Sequence, residues 1–221
     1  MKYLPVAFLL VMFCGCRHTK VPVAIGTEFT GKKHFGVKSC KLMYKFFDGI
    51  RQGERTVIFD EWGNVGRVYT VTRNDTAILS GMFNKMPPGK DNPFLKEYRS
   101  RLTNQTGDIQ ELVIKNEKET ITINLDTREG VRQSNASLPL IESYADKEKK
   151  VIGQEKVLGL LCDVVLIGTS EKVWLWNNIV LRKQQQLNKT DLKVEEYVTD
   201  VDADYVIRTG EFNVPDGMTI R

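Results

Sequence analysis

Short segments in which apolar and polar residues alternate recur through most of this 221-residue chain. Alternation with a period of two places one set of side chains on each face of a β-strand. Turn residues such as Gly63 and Asn64 separate successive segments. The chain is therefore predicted to form antiparallel strands joined by hairpins. The apolar faces of two such segments are formed by Cys40, Leu42, Tyr44 and Phe46, and by Ile121, Ile123 and Leu125.

Two segments have helical rather than alternating spacing. Asn92 and Pro93 are a helix start signal, and the apolar residues that follow, through about Leu102, include Phe94 and Tyr98. A shorter helix is predicted from about Pro139 to Lys149, with Leu140, Ile141 and Tyr144 facing inward. Together the elements predict an α+β fold, a curved antiparallel sheet of roughly eight or nine strands with the helices packed on one face.

The N-terminus has the layout of an export signal. Lys2 precedes an apolar run over residues 4–13, which is too short for the roughly 20 residues that span a bilayer. Gly15 and Cys16 follow, which is typical of a bacterial lipoprotein signal cleaved just before a lipidated cysteine. Cys14 is the alternative acceptor, but it follows two large residues, so lipidation with palmitate-type acyl chains is predicted at Cys16. An ordinary secretion signal or an uncleaved anchor is the other interpretation.

The domain organisation follows from that signal. Residues 1–15 are the predicted signal peptide, residues 16–36 are the lipid anchor and a polar tether, and residues 37–221 are one β-rich domain. The formal net charge is +4, and basic and acidic residues are mixed along the chain. A basic stripe with interleaved aromatic residues is missing from the sequence, so no nucleic-acid partner is predicted.

Two cysteines remain in the predicted domain, Cys40 and Cys162. In an exported protein an even pair is compatible with a disulfide, and two separate buried thiols are also compatible with the apolar strands around them. The sequence contains no C-x-x-C motif and no cluster of cysteine and histidine. We therefore predict no metal site and no cofactor.

Catalytic motifs are also missing from the sequence. The two histidines, His18 and His34, lie in or beside the tether, where a nucleophile–histidine pair has no partner. Asp60 and Glu61 are adjacent, so their carboxylates point apart and a hairpin turn is the better interpretation. Aspartates that alternate near the C-terminus lack the glycine and glutamate of a calcium loop. The protein is predicted not to be an enzyme.

Five segments together resemble a family of uncharacterised lipoproteins of the Bacteroides group. They are TVIFDEWGNVGR, ITINLDTREG, VLGLLCDVV, KVWLWNNIVLRK and EFNVPDGM, and the resemblance covers roughly residues 35–218. It implies the fold of the periplasmic and outer-membrane lipoprotein carriers, an open half-barrel with helices packed on its concave face. In those carriers the cavity between sheet and helices takes acyl chains. In that group a surface-export signal is acidic, whereas residues 17–22 carry no acidic residue, which implies an outer-membrane lipoprotein facing the periplasm.

These inferences predict a membrane-anchored, non-catalytic envelope lipoprotein that binds a lipid or another apolar ligand in a cavity between sheet and helices. The alternative is a lipoprotein that binds a glycan or a partner protein on an exposed sheet face. Trp174 and Trp176 distinguish the two, because an enclosed position favours the ligand and an exposed flat face favours the glycan or protein. Plain core packing is the third interpretation of these tryptophans. The candidate cavity residues are Leu42, Tyr44, Phe46, Phe94, Tyr98, Trp174 and Trp176.

Overall fold

Twelve strands carry the fold in a computed structural model that describes residues 31–48, 51–74, 108–134, 140–142, 144, 149–186 and 193–221. They form one sheet, in the order β12-β6-β5-β4-β3-β2-β1-β11-β10-β9-β8-β7. In chain order they are β1 (Cys40–Phe47), β2 (Arg51–Asp60), β3 (Val65–Asn74), β4 (Ile109–Lys115), β5 (Thr120–Asn124), β6 (Glu129–Gln133), β7 (Lys150–Val157), β8 (Leu160–Ile167), β9 (Glu171–Trp176), β10 (Ile179–Gln186), β11 (Lys193–Asp202) and β12 (Thr219–Ile220).

The sheet consists of two meanders. Strands β1 to β6 are successive neighbours, strands β7 to β11 are successive neighbours, and the antiparallel pair of β1 with β11 joins the two sets. The short β12 pairs in parallel with β6. The strands of the sheet begin and end at two opposite sides. We call the side at which β1 begins the entry end, and the β2–β3, β7–β8 and β9–β10 turns also lie there. We call the opposite side the far end, and the β1–β2 and β8–β9 turns lie there.

The α+β prediction with helices packed on a concave face is wrong for the part of the chain that is described. There the fold is a single large sheet, and its one helical element is a 3-10 turn at Glu61–Gly63. Residues 140–142 and 144 are not helical, although Leu140, Ile141 and Tyr144 pack inward as predicted. Apolar spacing reports which residues are buried, and a non-helical segment lying across a sheet satisfies the same spacing as a helix.

The predicted helix over residues 93–102, with Phe94 and Tyr98, lies outside the described residues. In the described ranges, no helix is long and apolar enough to cross a membrane.

Three clusters of buried apolar side chains hold the sheet together. The largest contains Cys40, Leu42, Val57 and Phe59 with residues of β8 to β11. It also contains Phe35, whose ring centroid lies 4.8 Å from that of Phe59. The folded unit therefore extends upstream of the predicted boundary at residue 36. The C-terminal segment covers another cluster on β4 and β5 through Phe212, Val214, Met218 and Ile220.

A segment that we call the strap, residues 140–142 and 144, crosses the sheet from β3 to β9. At one end the missing side chain of Gly66 makes room for it, because a Cβ there would lie 2.6 Å from Cδ2 of Leu140. At the other end the buried Tyr144 donates a hydrogen bond from its hydroxyl to Glu171 Oε1 at 2.5 Å. The strap thus covers the face on which the apolar cavity was predicted.

Candidate functional site

A cleft of about 420 Å³ lies at the far end of the sheet, where β1, β2, β3 and β11 meet. The β1–β2 connection beside it is held by Asp48, whose carboxylate accepts hydrogen bonds from the backbone N–H and from Nε of Arg51. We call this cleft the end cleft. Its lining residues are Lys45, Phe46, Phe47, Gln52, Gly53, Glu54, Val71, Arg73, Glu195 and Tyr197.

One aromatic residue in the lining of the end cleft, Phe46, packs over a glycine on the neighbouring strand. Phe46 and Gly53 are directly paired across β1 and β2. A Cβ on Gly53 would lie 2.6 Å from Cζ of Phe46 and 2.2 Å from the carbonyl oxygen of Val71. The guanidinium of Arg55 lies 5.3 Å from the centroid of the Phe46 ring. Phe46, a predicted cavity residue, therefore lines a cleft, but at the end of the sheet rather than beneath a helix.

Charged side chains also line the end cleft. Lys45 pairs with Glu54 at 3.8 Å, and Arg73 pairs with Asp108 at 2.7 Å. Glu195 accepts hydrogen bonds from two side chains of β10. Tyr197 is 41% exposed, so its ring offers an accessible aromatic surface. A lining that contains both aromatic and charged residues suits an amphipathic molecule, with an apolar part against the rings and a polar part at the charges.

The predicted cavity residues Leu42 and Tyr44 lie in the packed core instead. Both are buried, and the Tyr44 hydroxyl donates to the carbonyl oxygen of Val180 at 2.9 Å. Burial raises the pKa of Tyr44. A cavity of about 60 Å³ remains beside Tyr44 under the strap, which leaves room for a few water molecules but not for an acyl chain.

The walls of this small cavity are charged. Arg55 pairs with Glu196 at 2.6 Å, and Lys183 pairs with Glu142 of the strap at 3.0 Å. Lys183 also lies 3.4 Å from Glu171. Sequence reasoning missed this network, because its members come from β2, β9, β10, β11 and the strap. It fastens the strap to the sheet and occupies the place of the predicted apolar cavity.

Trp174 lies beneath charged side chains rather than in a cavity or on an exposed platform. It is 2% exposed, and its Nε1–H donates to Glu155 Oε2 at 2.8 Å. The cationic ends of Lys172 and Arg182 lie 4.4 and 4.9 Å from its ring. Trp176 is half-buried against the same core cluster. Both tryptophans therefore pack in the core, and neither is an exposed stacking surface.

The two cysteines of the domain are free, buried thiols, so the disulfide considered from the sequence is not formed in this structure. Burial, reinforced by Asp202 and Asp204, raises the pKa of Cys40 to about 12. Burial also raises the pKa of Cys162. Both thiols are therefore protonated and unreactive while the domain is folded. Cys14 and Cys16 lie outside the described residues, and the lipid anchor stays a prediction.

Two buried polar groups were not identified from the sequence. Lys115 is 1% exposed, its Nζ has no hydrogen-bond partner among the described residues, and desolvation lowers its pKa. His34 was placed in the tether, yet it is 4% exposed and its backbone N–H donates to the carbonyl oxygen of Trp62. Within the described ranges, no three residues of the types His, Cys, Asp and Glu come together as metal ligands.

Comparison with known proteins identifies no family for this chain. No family model and no curated protein matches it. An uncharacterized conserved protein from Thermus thermophilus superposes with a TM-score of 0.52 at 9% identity, over 84% of this chain and 90% of that one.

Two further structures align less well. MucB aligns with a TM-score of 0.47 at 7% identity, over 83% of this chain and 60% of that one. A putative outer-membrane lipoprotein-sorting protein domain from Vibrio parahaemolyticus aligns with a TM-score of 0.31 at 10% identity, over 80% and 89% of the two chains. At such low identity the Thermus protein establishes a shared fold and nothing about function.

Proposed function

We propose that the protein is a membrane-tethered, non-catalytic binding protein of the cell envelope that takes an amphipathic, lipid-like ligand in its end cleft. The observation that carries the proposal is the cleft of about 420 Å³ with the aromatic residues Phe46, Phe47 and Tyr197 in its lining. Small-molecule sites typically measure roughly 300 to 1,000 Å³. The cavity under the strap measures only about 60 Å³.

The charged residues of the lining support an ionic headgroup on that ligand. Lys45 and Arg73 place positive charge beside the aromatic rings, and Glu54 and Glu195 hold carboxylates in the same lining. An acyl chain would lie against the rings, and an anionic headgroup would exchange for the exposed partners of the two cations. Exposed ion pairs are weak, so such an exchange costs little.

A fluorescent fatty acid tests this proposal on the purified full-length protein. We expect saturable binding of dansyl-undecanoic acid that Tyr197→Ser weakens roughly tenfold, because the variant removes an exposed aromatic contact worth about 1.4 kcal/mol. Met43→Ser is the matched control, since Met43 is 39% exposed and does not line the cleft. Absent binding, or equal binding by both variants and the parent, would contradict the proposal.

A partner protein is the second candidate, because the outer edge of β7 carries no strand among the described residues. Every residue from Lys150 to Lys156 is exposed, so this edge is accessible to an added strand. Ile152→Pro would block pairing at that edge without touching the end cleft. Loss of a co-purifying envelope protein in this variant, with fatty-acid binding unchanged, would favour the partner over the lipid.

A further inference from the structure

The β7–β8 turn at the entry end presents apolar side chains to solvent. Leu158 and Leu161 are each 55% exposed. Gly159 has no atom within 4 Å of the position of a Cβ, so the tip of this hairpin stands clear of the surrounding chain. The turn therefore projects from the hairpin of β7 and β8 with Leu158 at its tip and Leu161 close by on β8.

Leu158 is an unusual residue for its backbone conformation. Its φ is 49°, and that of Gly159 is 82°. Two-residue hairpin turns with positive φ at both positions favour Asn, Asp or Gly, and a branched side chain there is strained. Leu158 adds little to the core, because more than half of its surface is exposed. An external apolar surface that covers the tip would account for the exposure.

The chain approaches the sheet at the same end as this tip. The backbone N–H of Gly36 donates to the carbonyl oxygen of Asn177, in the β9–β10 turn, at 2.8 Å. Because β8 and β9 are antiparallel neighbours, that turn and the β7–β8 turn share the entry end. The two turns are about 10 Å apart, or two strand spacings.

Val206 adds another apolar side chain at the entry end. It is 80% exposed, and it follows Tyr205, whose carbonyl oxygen accepts a hydrogen bond from the hydroxyl of Ser39. Residues 1–30, with the predicted lipid attachment at Cys16, precede this end of the folded unit. The predicted tether therefore joins the folded unit at the end that also exposes Leu158, Leu161 and Val206.

We infer that the entry end is a membrane-contacting surface, in which Leu158 and Leu161 enter the interfacial region of the bilayer to which the chain is tethered. The inference rests on the tether of the proposed function but not on its ligand cleft. Lys156 precedes the tip, and its side chain would reach lipid phosphates while its methylene groups remain among apolar neighbours. Two half-exposed leucines bind a bilayer weakly alone, and the tether raises their effective concentration at the surface. The contact would orient the end cleft away from the membrane.

An environment-sensitive label tests this orientation in the full-length, lipidated protein reconstituted in phosphatidylethanolamine–phosphatidylglycerol vesicles. The variant Leu158→Cys carries a nitrobenzoxadiazole label, since Cys40 and Cys162 are buried and do not compete for it. Thr169→Cys is the matched control, because Thr169 is an exposed residue in the β8–β9 turn at the far end. We expect at least twofold higher emission with a blue shift for the label at 158, and quenching by brominated lipid at 158 only.

Three outcomes would overturn the inference. A water-like spectrum at 158 in vesicle-bound protein would show that the tip does not enter the bilayer. Equal quenching at 158 and 169 would exclude the orientation. A blue shift without quenching by brominated lipid would show that a protein surface covers the tip. Fatty-acid binding measured on the same preparation reports on the far end, so a failure of either proposal is distinguishable from a failure of the other.

Discussion

Lys115 ends β4 with its amine in the interior of the protein. The side chain is 1% exposed, and within the described part of the chain its Nζ has no hydrogen-bond partner. A buried ammonium without an acceptor destabilises the fold, because it loses its hydration without gaining a partner. Lys115 pairs with Gly66 of β3 and Thr120 of β5, so it belongs to an inner strand of the sheet.

Replacement of this lysine is expected to stabilise the protein. Lys115→Met keeps the length of the side chain and removes the charge, so the free energy of unfolding at pH 7 should rise by about 1 to 3 kcal/mol. Lys118→Met is the control, because Lys118 is exposed in the turn that follows. Urea unfolding of the three proteins measures the difference. Equal stability of the parent and Lys115→Met would contradict the burial of the amine.

The same lysine predicts a pH dependence. Desolvation lowers the pKa of Lys115 from its ordinary value of 10.5. Between the lowered pKa and 10.5 the unfolded chain binds more protons than the folded protein, so the stability of the parent rises with pH. The advantage of Lys115→Met should therefore shrink as the pH approaches 10.5. An advantage that stays constant from about pH 7 up to that value would show that the amine keeps its ordinary pKa.

The two thiols give a chemical test at the residue scale. Cys40 and Cys162 are buried and free, and burial raises the pKa of each thiol above its ordinary value. We therefore expect neither to react with Ellman's reagent in the folded protein at pH 8. Both should react after unfolding in guanidinium chloride without a reducing agent. If neither reacted after unfolding, a disulfide would be present in the isolated protein.

The strap is the element that packs across one face of the sheet. It reaches from Gly66 on β3 to Glu171 on β9, and Lys183 binds the carboxylate of Glu142 within it. Its apolar side chains belong to two different core clusters. The strap therefore links the two meanders on one face, as the pairing of β1 with β11 links them within the sheet.

A pair of glycine substitutions tests how tightly the strap is packed. A Cβ at Gly66 would lie 2.4 Å from the carbonyl oxygen of Ile58 and 2.6 Å from Leu140. Gly66→Ala should lower the free energy of unfolding by about 1 to 3 kcal/mol. Gly153→Ala in β7 is the matched control, since nothing lies within 4 Å of its Cβ position, and it should leave stability unchanged or slightly higher. Equal effects of the two substitutions would contradict the close approach of the strap.

The two ends of the sheet differ in character at the scale of the whole molecule. The far end holds the end cleft with aromatic and charged residues in its lining. The entry end receives the chain at Gly36 and exposes Leu158 and Val206. The cleft and the point at which the chain enters the folded unit therefore lie at opposite ends of the sheet.

The anchor itself is testable by mass spectrometry of the N-terminal peptide. We expect a diacylated or triacylated Cys16, because two or three acyl chains give stable attachment where one chain is marginal. Cys16→Ala should abolish the modification and release the protein from the membrane fraction, and Cys14→Ala should leave both unchanged. Acylation at Cys14, or an unmodified N-terminus in the parent, would contradict the assignment.

Protease treatment of intact cells tests the predicted periplasmic location. In the lipoprotein group that the sequence resembles, a surface-export signal is acidic, and the residues just after Cys16 carry no acidic charge. We therefore expect the protein to resist external protease and to become sensitive only after the outer membrane is opened. Rapid loss from intact cells would place the protein on the cell surface.

Alternation of apolar and polar residues identified most of the strands, because a strand with one buried face repeats its apolar residues with a period of two. The segments around Leu42 and Ile123 became strands β1 and β5 of the sheet. Strand β7 was missed, since every residue from Lys150 to Lys156 is exposed and the strand has no apolar face to record. The inward orientation of Tyr144 was also predicted, whereas the described residues 140–142 and 144 of the predicted helix are not helical.

What covers each apolar face was decided only by the tertiary structure. The sequence identified Leu42, Tyr44 and Trp174 as candidate cavity residues, but their neighbours come from strands and turns distant in the chain. The strap fills the face beside Tyr44, and the side chains of Lys172, Arg182 and Glu155 cover Trp174. A periodic pattern specifies that a side chain is buried, because burial depends on its own strand. It does not specify the partner, because the partner depends on how β1 and β11 bring the two meanders together.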